Sequence, residues 1–419
     1  MKPEQKKVVL RGKTAVLLFF VSIFILGCGR SQSNTIMIWT TLRPIERELL
    51  QEKINIFARN YPMYRFQLLY YETEELRTNF IIASLAGKGP DIVQGPSDNI
   101  GPFSDLGVIR PLEDVFSSTF LDSFITEPFP ANTWFHGHLY QIADRIGNQL
   151  TLVYNRDMIA TAPATMNELI AVGQKIVKDT DGDGTPDIYA LAWNYIEPYF
   201  AIPFIGGYGG WIVDDNFHPT LNSDAVIKAA TFIYDLANKY KIIPRECDYE
   251  TANALFLDGK VAMIINGPWS WATYIKAGVN IGLARIPKVD ETGLWPTPMV
   301  SPKGYSVNIN ISKEKLKIVK HLIKFLTSDT LEEEFSKKFI TIPSRKKALA
   351  DSSLYEAPLF NAALSQVMVG RIMPVNTELR WIWDAMRPAY QGIFTGRYSP
   401  EKAAEEMQKL AEKLIRENR

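Results

Sequence analysis

The 419 residues include 46 basic and 46 acidic side chains, 46% apolar residues and two cysteines. A chain of this length exceeds one ordinary core, so two well-packed domains are expected. With charge balanced and only the short Arg345–Lys347 run, which reads as a solvated loop or helix end, a nucleic-acid partner is disfavoured, because it requires a basic face.

The first 28 residues differ from the rest. Lys2, Lys6, Lys7, Arg11 and Lys13 precede an apolar run from Ala15 to Leu26, shorter than a typical membrane span. This is the pattern of an export signal, and Ile25, Leu26, Gly27, Cys28 resembles a bacterial lipoprotein processing box. Cleavage of residues 1–27 makes Cys28 the lipidated first residue, with 28–34 as a polar tether. The alternative is an uncleaved N-terminal anchor, and either places the body outside the cytoplasmic membrane. Removing residues 1–27 takes away five basic residues and one acidic one, leaving a net charge of −4. Cys247 then has no disulfide partner, and core packing must carry stability.

Thr35 to Trp39 reads as a strand. Ile45, Leu49, Leu50, Ile54, Phe57 and Ala58 recur at helical spacing before Tyr61 and Pro62. Arg65 to Tyr70 is a second strand, Leu76, Phe80, Ile81 and Leu85 mark a second helix, and Asp91 to Val93 begin a third strand. This alternation predicts a parallel sheet covered by helices, with ligands beyond the carboxyl ends of its strands. Trp39, Thr40, Thr41 and the loop from Gln94 to Asn99 lie there, and Asp98 is either an acceptor for ligand hydroxyls or a local turn residue. Tyr140 to Asn155 reads as a polar loop followed by a strand, a crossing between lobes that concentrates Asp144, Arg145 and Asn148 at a junction suited to a cleft.

A second α/β series follows. It has helices from Met166 to Val177 and Ala225 to Tyr240, a strand around Ala190 to Trp193, and further helices near Leu316 to Leu326 and from Pro400 to Ile415. Ser223 or Asp224 caps the second of these, and Ser399 with Pro400 marks the last start.

Gly259 to Trp271 reads as a buried strand, Val261 to Ile265, broken at Asn266, Gly267 and Pro268 so that Trp269 and Trp271 follow its end. An indole there either meets a ligand or fills core. Glu197 and Tyr199 lie just past the Ala190 to Trp193 strand, again at a carboxyl end. Asp179, Asp181, Asp183 and Asp187, with Gly184 at position six, match the spacing of a calcium loop, yet position twelve is Ala190 and not glutamate. The alternatives are a structural calcium site and a solvated Asp/Gly turn. Gly206, Gly207, Gly209 and Gly210 read as tight turns, and His136 with His138 as polar surface. Phosphate-loop, nucleophile-elbow and zinc-protease signatures are absent, and no cofactor is expected beyond that calcium.

The segments GKGPDIV, GVIRPLED, LVYNRDM, NYIEPYF, GKVAMIINGPWSW, KFLTSD and IMPVNTELRWIWDAM, in this order, resemble the sugar-binding lipoproteins and periplasmic proteins of ATP-driven importers, of the maltose-binding type. The resemblance spans essentially the whole mature chain. It implies an α/β, periplasmic-binding-protein-like fold with an N-lobe over 35–145 and 304–350, a C-lobe over 149–300 and 355–419, and a cleft that shuts by hinge closure on a saccharide. It further implies a monomer that partners two membrane permease subunits and a cytoplasmic ATPase.

Position by position, Glu197 and Tyr199 fall on ligand-contacting positions of the family, as do Tyr249, Trp269, Trp383, Arg387 and Asp98. Gly95 stands where the maltose binder has an aromatic and Asn99 where it has an arginine, which leaves the sugar open. Aromatic plates from Trp269, Trp383, Tyr199 and Tyr249, with a rim of Glu197, Asp98, Asp144, Asn148 and Arg387, complement a pyranose without any bond being broken. The rival is a secreted glycosidase using Glu197 and Asp144 as its two carboxylates.

Overall fold

A computed structural model describes residues 34–418. The export signal, Cys28 and the tether up to Ser33 lie outside the described residues. In chain order the described strands are β1 (Thr35–Thr40), β2 (Arg65–Tyr70), β3 (Ile92–Pro96), β4 (Thr133–Phe135), β5 (His138–Gly147), β6 (Thr151–Asn155), β7 (Tyr189–Ala192), β8 (Val261–Asn266), β9 (Ile281–Ala284), β10 (Met299–Val307) and β11 (Arg371–Ile372). They form two sheets, each covered by helices, and the chain passes from one to the other three times.

The first sheet has the order β2-β1-β3-β10-β5-β4, with β11 pairing with β10. Its first three strands are parallel, Ile38 standing opposite both Leu68 and Ile92. The helix Pro44–Ala58, started by a proline whose missing N–H costs nothing at that position, links β1 to β2 and buries Leu49, Leu50, Ile54 and Phe57. The helix Thr73–Leu85 links β2 to β3 and buries Leu76 and Phe80.

The parallel pattern ends at β3. β10 lies antiparallel to both β3 and β5, so the sheet is mixed where alternation predicted it parallel. Gln94 to Pro96 belong to β3 itself, and Ser97–Asn99 form a short 3-10 turn.

Tyr140 to Gly147 is not a polar loop. It lies within β5, a strand buried from Leu139 onward, because Gln141, Asp144 and Arg145 find partners inside the protein. Asp144 is the extra residue where Lys303 pairs with Arg145 and Gly304 with Ala143. This bulge turns its carboxylate onto Arg145 Nε (2.9 Å) and Gln94 Nε2 (3.0 Å).

The second sheet has the order β7-β8-β6-β9, with β6 antiparallel to β8 and β9 and only β7 parallel to β8. Thr165 caps the helix Met166–Ile176 by accepting from Glu168 N at 3.2 Å. The helix Asp224–Asn238 turns Val226, Ala229, Ala230, Ile233, Leu236 and Ala237 inward, although the Ser223 side chain caps nothing. At the end, Ser399 Oγ accepts from Lys402 N (3.3 Å), opening the helix Pro400–Asn418 against the helix Glu378–Phe394. Trp193 donates to Tyr390 Oη (2.9 Å) and Tyr195 stacks on Phe394 at 4.0 Å, tying this helix to the end of β7. No described helix is long and apolar enough to cross a membrane.

The passages between sheets are informative. Asn148 to Leu150 joins β5 to β6, and β10 makes a second passage within one strand: Met299 and Val300 pair with β11, while Ser301 to Val307 pair with β5 and β3. The third runs through the segment 350–357, which includes the 3-10 turn Ser352–Glu356.

Candidate functional site

The carboxyl ends of β1, β2, β3, β7 and β8 face one another across a cleft of about 400 Å³. The first half contributes Thr41, Arg43, Glu72, Glu74 and Asp98; the crossing contributes Asn148; the second half contributes Glu197, Tyr199, Tyr249, Trp269, Arg380 and Trp383. Lys303 of β10 closes the floor.

Trp269 and Trp271 are two residues apart in the helix Pro268–Lys276 and point to different surroundings. Trp269 lines the cleft, whereas Trp271 is 0% exposed and fills core. Gly267 explains the aim of the first: a Cβ built there would lie 2.1 Å from the Trp269 ring, so the indole folds back over a bare backbone. Trp383 is 4% exposed and meets Tyr199 edge-on at 6.3 Å. Tyr199 donates its hydroxyl to the Asn148 carbonyl, pinning one aromatic wall to the crossing, where Asn148 itself adopts φ 56°. Burial pushes the Tyr199 phenol well above its ordinary value, so it stays protonated as a donor.

On the acidic side, Arg77 Nη2 holds one oxygen of Asp98 at 3.0 Å, and the other oxygen is buried with no hydrogen-bond partner among the described residues. It is a ready acceptor. Glu197 takes a hydrogen bond from Arg387 Nη2 at 3.2 Å, and burial raises its carboxyl despite that guanidinium. Three cation contacts bridge the halves. Arg43 lies over the Tyr249 ring at 5.1 Å, Arg380 pairs with Glu74 (Nη1 to Oε1, 3.2 Å), and Lys303 lies over Trp269 at 5.3 Å.

Of the nine residues expected to contact the sugar, Asp98, Asn148, Glu197, Tyr199, Tyr249, Trp269 and Trp383 line this cleft. Two do not. Asp144 is held inside the first sheet by Arg145 and Gln94, and Arg387 stands behind Glu197, pairing with it and with Asp384 at 2.9 Å. Arg43, Lys303 and Arg380 were not singled out. Arg380 was within reach, since it sits one helical turn before Trp383 on the same face.

The aspartate loop lies elsewhere on the second half. Carboxylate oxygens of Asp179, Asp181 and Asp187 come within 4.8 Å of one another, and Asp183 falls outside the set. Asp179 accepts from Gly182 N (2.7 Å) and Gly184 N (2.9 Å), and Asp187 from Thr180 N (2.7 Å). These bonds by themselves account for the turn.

Residues 54–362 match the family described as bacterial extracellular solute-binding protein. The chain belongs to that family. Among solved structures, the maltose/maltodextrin-binding domain of Bdellovibrio bacteriovorus bound to maltotriose superimposes with a TM-score of 0.87 at 41% identity, covering 91% of this chain and 100% of that one. The maltotriose-binding protein of Pyrococcus abyssi is 24% identical over 371 residues, 87% of this chain and 78% of that protein. A maltooligosaccharide ABC transporter solute-binding lipoprotein of Streptococcus pneumoniae strain R6 is 21% identical over 346 residues, 79% of this chain and 78% of that protein. This solute-binding protein therefore has the two-lobed periplasmic-binding fold, works outside the cytoplasm and is not an enzyme. The glycosidase reading also fails on geometry, because its second carboxylate, Asp144, is outside the cleft.

Proposed function

We propose that this solute-binding protein is the receptor subunit of an ATP-driven oligosaccharide importer, that Cys28 carries its lipid anchor, and that its ligand is a malto-oligosaccharide or a close relative. One observation carries the proposal. Trp269, Trp383, Tyr199 and Tyr249 line the same cleft as the acceptor Asp98 and the charged pairs of the other lobe.

A pyranose has apolar C–H faces and a rim of hydroxyls that both donate and accept, and this surface offers a complement to each. Trp269 and Trp383 serve as stacking plates, with Tyr199 and Tyr249 beside them. The free oxygen of Asp98, the Glu197 carboxylate and the Asn148 side chain take up hydroxyls, and Arg387 acts from behind by holding Glu197. Ligand contacts made by both lobes at once exist only when the cleft is shut, so binding favours the shut form by its differential affinity. A pair of permease subunits reading that form, driven by a cytoplasmic ATPase, completes the importer. The receptor is taken to act as a monomer, with lobes near 35–145 with 304–350 and 149–300 with 355–419.

Calorimetric titration with maltotriose, followed by chromatography of the recovered sugar, tests the reading. Saturable binding of one equivalent with the trisaccharide recovered intact is expected; no heat with maltotriose or any other oligosaccharide tried, or cleavage of the sugar, would overturn it. Mass analysis of the N-terminal peptide checks the anchor, which requires a diacylglyceryl thioether on Cys28.

A further inference from the structure

Lys303 is a cation in an unusual position. It lies on β10 at the floor of the cleft, beside the register shift that separates Lys303 from Gly304, and a bulge of this kind re-aims the neighbouring side chains. Its ammonium stands 5.3 Å from the centroid of the Trp269 ring, which belongs to the other lobe. Among the described residues it makes no hydrogen bond and no ion pair.

The reason is visible in its neighbours. Glu46 and Asp144 are the nearby carboxylates, and both are committed to Arg145, Asp144 at 2.9 Å. Arg43, the other nearby cation, is paired with Glu72 at 2.9 Å. Each of these carboxylates is thus held by an arginine, and none pairs directly with Lys303. Burial accordingly pulls the Lys303 ammonium down to about 8, with Glu46 and Asp144 opposing and Arg145 and Arg43 assisting.

Lys303, Trp269 and Asn148 also separate the cleft from a second, smaller cavity of about 10 Å³, space for about one water. Lys303 is half-buried, and its unused donors face the cleft, which is where acceptors can come from. The cleft lining disfavours an anion as that acceptor: Glu72, Glu74, Asp98, Glu197 and Glu250 outnumber Arg43, Lys303 and Arg380.

We propose that Lys303 is a ligand-contacting, specificity-determining residue, whose ammonium holds the Trp269 indole from the opposite lobe and donates to hydroxyl oxygens of the neutral saccharide seated on that indole. This rests on the cleft being the oligosaccharide site. The contact has two consequences. A sugar lacking a hydroxyl at that place is rejected, because the ammonium stays unsatisfied; and binding responds to pH, because a neutral amine is a weaker donor.

The test uses the full chain, wild type and Lys303→Met and Lys303→Arg, titrated with maltotriose from pH 6 to 9.5, with circular dichroism confirming the fold of each. Wild-type affinity is expected to fall as pH rises through about 8. Lys303→Met should bind at least about tenfold more weakly at pH 7, with no such pH step, on the scale of one charged hydrogen bond removed. Lys303→Arg should keep most of the affinity at pH 7 and lose the step. Wild type that binds while Lys303→Met matches it within twofold overturns this inference alone. Wild type that binds no saccharide overturns the sugar reading, and this inference with it.

Discussion

Two tryptophans two residues apart should behave as opposites. Trp271 is 0% exposed, and its indole nitrogen finds no acceptor among the described residues, so packing alone holds it. Emptying such a site costs about 3–5 kcal/mol. At about 2–4 °C per kcal/mol for a lobe of this size, Trp271→Ala should lower Tm by about 6–20 °C. Trp269 is half-buried at the cleft, and its removal leaves the core intact while deleting one stacking plate, worth about 1–3 kcal/mol. Trp269→Ala should therefore weaken maltotriose binding about 5- to 150-fold with a Tm within about 3 °C of wild type. Calorimetry for affinity and scanning calorimetry for Tm read both variants. If Trp269→Ala binds as wild type, or if Trp271→Ala melts as wild type does, the division of labour argued from Gly267 and the strand end is wrong.

Gly267→Ala adds a methyl 2.1 Å from the Trp269 ring and must displace it, so affinity should fall by at least about fivefold although residue 267 does not itself line the cleft; unchanged affinity refutes the role of that glycine. Burial pushes the Cys247 thiol up to about 12, and the side chain is 5% exposed, so Cys247 in the native protein should not react with a thiol reagent at pH 8. In denaturant one thiol should titrate when Cys28 carries a thioether lipid, and two when it does not. The Lys303 ammonium is held below its unfolded value near 10.5, so its charge penalises the folded state. That penalty is full below about pH 8, shrinks between 8 and 10.5, and is gone above. Lys303→Met should thus stabilise the protein by about 1–3 kcal/mol at pH 7 and not at pH 11, as read by urea unfolding.

What the sequence disclosed about the cleft follows a physical division. Trp269, Tyr199, Glu197 and Asp98 could be placed because each comes just after a strand whose apolar run and Gly or Pro break are local signals, and strand ends on one side of a sheet share one edge. The helix Glu378–Phe394 has no such punctuation at its cleft end, so only the family resemblance points to Trp383, and nothing local marks Arg380 on the same helical face.

Asp144, Arg145 and Lys303 mark where local signals fail. Asp144 and Arg145 read as a polar loop, and Lys303 carries no local signal, yet both stretches are central strands that satisfy one another at a bulge between residues far apart in the chain. A charged residue is predicted outside because its partner is invisible from its own neighbourhood. Here the partners are shared unequally: Arg145 takes both carboxylates, and Lys303 is left with an indole face. An imbalance of this kind cannot be read along a chain. It arises only when three strands and a helix meet, and in this solute-binding protein they meet on the floor of the cleft.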